Sequence, residues 1–143
     1  DNAFNNMPYS IYYQRLATDF LNSGKIFIIG YSFGDEHFNR LLRSFLYMNK
    51  KNKVYVIDMY DSMVTMVDEY KEDSNIITKI HNTFKPDWNI IFDNDSSQKL
   101  PYNQQEVNKI NQEGYGEIFE RIILYKKGYD QFLNEFHKVL SEY

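Results

Sequence analysis

The chain has 143 residues, a formal net charge of −4 from 16 Lys and Arg against 20 Asp and Glu, and no cysteine. That length can bury a core without covalent staples, and the missing cysteines exclude disulfides, thiolate metal ligands and thiol nucleophiles while fitting a reducing cytoplasm. The acidic balance argues against a nucleic-acid partner. No stretch approaches the roughly 20 apolar residues that cross a bilayer, and the start lacks the charged-then-apolar pattern of a secretory signal.

Residues 1–8 are polar and Asn-rich and read as a linker or cut end, leaving 9–143 as the folded unit. From Pro8 the pattern turns helical, with Ile11, Tyr12, Arg15, Leu16, Phe20 and Leu21 on one side and Asn22-Ser23-Gly24 ending the run. Ile26 to Ile29 is an unbroken apolar run, as expected of a parallel strand covered on both faces. A glycine-bracketed turn, Gly30 to Gly34, leads into a helix that Asp35 can cap, with Phe38, Leu41, Leu42, Phe45 and Leu46 at 3.6-residue spacing. Val54 to Ile57 is a second strand closed by Asp58, so residues 25–58 read as β-turn-α-β with parallel strands and a right-handed crossover.

Beyond Asp58 the signals thin out. Asp61 to Tyr70 is a short helix or an irregular excursion, and Asn75 to Lys79 is too short to assign. Asp87 to Phe92 reads as a third short strand, and Asp93 to Pro101 as a loop. Two helices are expected to close the chain, Gly116 to Lys127 and Tyr129 to Glu142, with Gly128 between them. The fold class is therefore α/β: a partial Rossmann-like parallel sheet in a three-layer α/β/α arrangement with C-terminal helices. Three short strands are few for a self-sufficient doubly wound sheet, so the chain is expected to be the later part of a larger domain.

The glycine turn is the best candidate site, because amides at a helix N-terminus, exposed by small residues, attract the oxygens of a nucleotide. Its spacing, Gly30-x-x-x-Gly34, is not the G-x-G-x-x-G fingerprint, and a simple tight connection accounts for it as well. Ser32 either bonds a ribose or phosphate or caps the helix through Ser32-x-x-Asp35. Asp58 stands where a Rossmann unit places the acid that accepts from a ribose hydroxyl, or it solvates the strand end. Asp35 and Glu36 would repel a phosphate directly above them, which points to the ribose or base end of a ligand. His37 is the one histidine near this turn; His81 reads as a loop residue and His137 as lying on the polar side of the last helix. No His pair has metal-ligand spacing and no Ser, His and Asp grouping is legible, so no metal site or catalytic set is assigned.

The run Ile28 to Leu42, Ile-Ile-Gly-Tyr-Ser-Phe-Gly-Asp-Glu-His-Phe-Asn-Arg-Leu-Leu, closely resembles the signature of bacterial SIR2-like domains, relatives of the sirtuins often found in anti-phage defence proteins. Gly30-Tyr31-Ser32-Phe33 resembles the sirtuins' Gly-Thr-Ser-Leu turn, whose backbone and hydroxyls contact bound NAD. Val54 to Asp58 is similar to the next strand, whose end approaches the adenosine, although sirtuins commonly carry Asn at the position of Asp58. The resemblance implies NAD as substrate and Gly30, Tyr31, Ser32, Phe33, Gly34, Asp35 and Asp58 as its contacts. It also implies cleavage of the nicotinamide glycosidic bond through an oxocarbenium-like ribosyl centre.

Family members carry an earlier glycine-rich loop and an upstream catalytic His, and neither pattern precedes the first strand of this sequence, so His37 is not given that role. The expected partners are NAD and the rest of a parent SIR2-like protein, with homo-oligomerisation left open. A non-catalytic nucleotide-sensing or protein-interaction module is the alternative. Deacylation is a weaker third, because the Cys-based zinc ribbon that accompanies it in sirtuins is absent.

Overall fold

The computed structural model describes residues 24–60, 64, 76–92 and 103–143. The expected helix before Gly24, the excursion from Asp61 to Tyr70 apart from Val64, and the loop from Asp93 to Pro101 lie outside the described residues.

Strand β1 (Lys25–Ile29) and strand β2 (Lys53–Ile57) pair in parallel, with Lys25 opposite Lys53 and Ile29 opposite Ile57. Helix α1 (Glu36–Met48) connects them, giving the expected β-turn-α-β unit. Leu42, Phe45 and Leu46 are fully buried along its inner face. At about 1.5–3 kcal/mol for each such side chain, that stripe holds the helix on the sheet better than intrinsic propensity could.

The segment after Ile76 departs from the sequence reading. Residues 76–84 form helix α2 (Ile76–Phe84), burying Ile76, Ile77, Ile80 and Phe84, and His81 is helical instead of lying in a loop. The expected third strand, Asp87 to Phe92, is a 3-10 turn (Lys85–Asp87) continued by the short helix α3 (Trp88–Phe92). Pro86 favours helix initiation there, and Trp88, Ile91 and Phe92 are buried while Ile90 is 62% exposed, which is helical spacing.

Helix α4 (Gln104–Glu113) follows, capped by the Asn103 side chain and ended by a left-handed Gly114. The expected helix from Gly116 to Lys127 is instead two strands, β3 (Tyr115–Phe119) and β4 (Ile122–Tyr125), paired antiparallel. The sheet order is β1-β2-β4-β3, with β4 parallel to β2 and β3 on the edge. The last helix, α5 (Tyr129–Glu142), is as expected.

The sheet is covered on both faces. Ile26, Ile28, Val54, Val56, Ile122 and Leu124 pack under α1 to α4, while Tyr55, Ile57, Ile123 and Tyr125 meet Phe132 and Val139 of α5. On this second face the Tyr55 hydroxyl is buried without a hydrogen-bond partner among the described residues, and burial, reinforced by the nearby Glu117, raises it above the ordinary tyrosine value.

The end of α5 is fastened through Lys109, which donates to Glu142 at 2.5 Å and to the Tyr143 hydroxyl at 2.6 Å. Tyr143 in turn donates to Glu106 at 2.7 Å, and Tyr115 to Glu142 at 2.8 Å. Burial works against the Lys109 ammonium, yet its bonds to Glu142 and Tyr143 outweigh this and raise it above the usual lysine value. Glu142 is held low by the Lys109 hydrogen bond, and burial is the main cause that pushes Tyr143 up to about 12.

Candidate functional site

In register across the sheet, Ile29 lies opposite Ile57, and Ile57 opposite Tyr125. Gly30, Asp58 and Lys126 therefore follow the carboxyl ends of three adjacent parallel strands, the edge at which open α/β sheets bind ligands. Backbone bonds tie the edge together: Gly30 donates to the Ile57 carbonyl at 3.1 Å and Asp58 to the Tyr125 carbonyl at 2.9 Å, while Gly128 donates to the Asp58 carbonyl at 3.1 Å.

Gly30 has φ +63, so the backbone is left-handed, and a β-carbon there would meet none of the described residues within 4 Å. Gly30, Ser32 and Gly34 are exposed, and the Ser32 hydroxyl makes no hydrogen bond to the described residues. Asp35 caps α1, its Oδ1 accepting from the His37 amide at 3.0 Å and the Phe38 amide at 3.3 Å. Capping therefore falls to Asp35 and not to Ser32.

The seven sequence-predicted residues divide by whether they face outward or inward at the turn. Gly30, Ser32 and Gly34 line the outside of the turn, and Asp58 stands beside it, its Oδ1 accepting from the Met59 amide at 2.7 Å. Tyr31, Phe33 and Asp35 build the turn from within. Phe33 is buried with φ +62, a conformation that costs a residue with a β-carbon about 1–2 kcal/mol. The Tyr31 ring packs 4.8 Å from Phe33 and 4.9 Å from Phe38, and its hydroxyl lies 2.8 Å from Asn39 Oδ1 and 3.0 Å from the Asp35 carbonyl.

Of the histidines, His37 starts α1 with its amide on the cap, and His81 packs edge-on to Trp88 at 5.2 Å. His137 is exposed on α5.

Sequence reasoning missed Arg43, which braces the start of α1 beside the turn, and Arg121, which braces the opposite end of the sheet. Arg43 is 5% exposed and donates to Glu36 at 2.7 Å, Asp87 at 3.1 Å and the Thr83 carbonyl at 2.8 Å, joining α1 to α2 and the 3-10 turn. Its hydrogen bond is the main reason Glu36 is held below the usual carboxylate range. Arg121, in the β3–β4 turn with φ +66, donates to the carbonyls of Leu46, Asn49, Asn52 and Ile91, closing the C-termini of α1 and α3.

Gly128 was expected to separate two helices. It joins β4 to α5 instead, with φ +85, and a β-carbon there would lie 2.8 Å from Met59 Cε. Its position was detectable only with the β4 assignment in hand.

The described edge thus offers an open left-handed glycine turn, an outward hydroxyl and a carboxylate. The α1 amides nearest the turn are already used by Asp35. That arrangement suits the uncharged, hydroxyl-bearing part of a nucleotide better than a phosphate.

Comparison with curated proteins and with solved structures finds no significant match. Comparison with protein families matches the SIR2-like domain at residues 2–79, more than half of the chain and inclusive of β1, the glycine turn, α1, β2 and Asp58. The chain belongs to the SIR2-like domain family, whose members are NAD-related.

Proposed function

We propose that residues 9–143 are the C-terminal part of a SIR2-like NAD-binding domain and supply the adenosine side of an NAD site. The parent is a cytoplasmic NAD hydrolase that releases nicotinamide and serves in defence against phage. The observation that carries the reading is the strand register, which sets the Gly30 turn and Asp58 side by side at the carboxyl edge within the family match.

In this reading Gly30 and Gly34 admit the ribose to the backbone, Ser32 and the Asp58 carboxylate bond its hydroxyls, and the first turn of α5 borders the base. Tyr31, Phe33 and Asp35 contribute through the backbone they hold. NAD supplies the scissile glycosidic bond, and the groups that act on it belong to the rest of the parent, so this chain alone releases no nicotinamide.

Titration of the intact protein with NAD in a calorimeter tests the site. Asp58→Ala should weaken binding about 10- to 100-fold, as expected for a charged hydrogen-bond acceptor. Unchanged affinity in that variant, or no binding by the intact protein, would sink the assignment.

A further inference from the structure

The shape of the β1–α1 turn converges on Asn39, one turn into α1 and 6% exposed. Both ends of its amide are used by the turn. Nδ2 donates to the Phe33 carbonyl at 2.9 Å, and Oδ1 accepts from the Tyr31 hydroxyl at 2.8 Å. The Tyr31 hydroxyl accepts in turn from the Asp35 amide at 3.2 Å. A single buried side chain therefore links both ends of the segment between Gly30 and the helix cap.

We propose that Asn39 is a positioning residue for the nucleotide site: by donating to the Phe33 carbonyl and accepting from Tyr31, it fixes the exposed Gly30–Gly34 backbone in its ligand-receiving shape. The inference rests on the NAD-site reading above. Phe33 sits at φ +62, which its β-carbon disfavours, and the two glycines permit many alternatives, so the turn needs an external constraint to remain in one conformation. Without that constraint, ordering the turn would be charged to ligand binding and the apparent affinity would fall with the competent fraction. An apolar residue of Asn39's size would fill the same space and leave the Phe33 carbonyl without its donor.

The test uses Asn39→Asp in the intact protein, a substitution that keeps size and the acceptor but removes the donor. Above its pKa the introduced carboxyl is ionised and faces the Phe33 carbonyl and the Glu36 carboxylate, and below it the protonated group can donate again; NMR of the variant locates that pKa, and the two pH values are set on either side of it. We expect NAD binding by calorimetry to be about tenfold weaker or worse than wild type at the higher pH, and to return to within about threefold at the lower. Amide exchange of residues 30–35, measured without ligand, should quicken and recover over the same range. Tyr31→Phe should weaken binding and quicken exchange with no recovery in acid.

Binding by Asn39→Asp equal to wild type at both pH values would overturn the proposal, as would weakened binding with exchange unchanged. If the wild-type protein itself fails to bind NAD, the site reading falls. The exchange comparison then still decides whether Asn39 orders the turn, because it needs no ligand.

Discussion

Gly30→Asn and Gly30→Val place a side chain above the same turn but load the backbone differently. At φ +63 a β-carbon costs about 1–2 kcal/mol, less for Asn, which visits the left-handed region, and more for β-branched Val. The described residues add no clash to this, because none of their atoms lies within 4 Å of the site a β-carbon would take. Part of the cost is offset by the smaller entropy of the unfolded variant chain, so Asn should destabilise by about 0.5–1 kcal/mol and leave the fold intact. NAD at a hundred times its Kd should stabilise the wild-type intact protein by about 2.7 kcal/mol. If ribose lies against Gly30, that increment should vanish in Gly30→Asn. Gly24→Ala is the control: Gly24 precedes β1 at the opposite end of the sheet, has no positive φ and has no described residue within 4 Å of a β-carbon. Denaturant unfolding with and without NAD reads both quantities. A Gly30→Asn protein that folds and is stabilised by NAD as fully as wild type would refute the ligand role of the turn and leave Gly30 a purely structural requirement.

Arg121→Met should cost about 3–5 kcal/mol, because the carbonyls of Leu46, Asn49, Asn52 and Ile91 lose a charged donor, and the loss should appear as a lower denaturation midpoint at unchanged slope. Tyr55→Phe should stabilise by about 1 kcal/mol, since the hydroxyl it removes is buried and has no partner among the described residues; a destabilised variant would mean the hydroxyl does find a bond. Glu142 has a lowered folded pKa, so its contribution is present above the ordinary carboxylate value of 4.5 and is lost as pH falls through the folded value; Lys109→Met should flatten this acid limb of the stability curve. Tyr143 is raised, so its contribution is full below the ordinary value of 10.0 and is lost as pH rises through about 12, which phenolate absorbance during alkaline unfolding would follow.

The first half of the fold was legible because every signal there is local and agrees. An apolar run, two glycines, a capping Asp35 and a stripe at helical spacing occupy consecutive positions, and the parallel pairing follows from them. The β3–β4 hairpin was not legible for a specific reason. Ile118, Phe119, Ile122 and Ile123 have the spacing of a helix face, and the turn that breaks them carries Arg121 at φ +66 in place of the Gly or Asn that would announce it. What stabilises Arg121 there is a set of carbonyls on α1, the loop after it and α3, far away in sequence, so no local rule could have recovered it. The segment from Trp88 to Phe92 failed differently: its apolar residues fit either period, and Pro86, which favours a helix start, was the neglected arbiter.

The candidate site divides along the same line. Its outward groups, Gly30, Ser32, Gly34 and Asp58, sit at positions that sequence spacing alone places at a strand end or a helix start. The inward scaffold does not. Tyr31 and Asn39 are eight positions apart, and nothing in either residue type marks it as half of a hydrogen-bonded pair; the pairing exists because the turn folds back on the first coil of α1. Gly128 joins the edge only through the pairing of β2 with β4, which sets its amide on the Asp58 carbonyl. A binding edge of this kind is therefore read from sequence as a set of groups a ligand could touch. The constraints that hold those groups in one shape, which decide whether binding must first order them, come into view only with the non-local contacts.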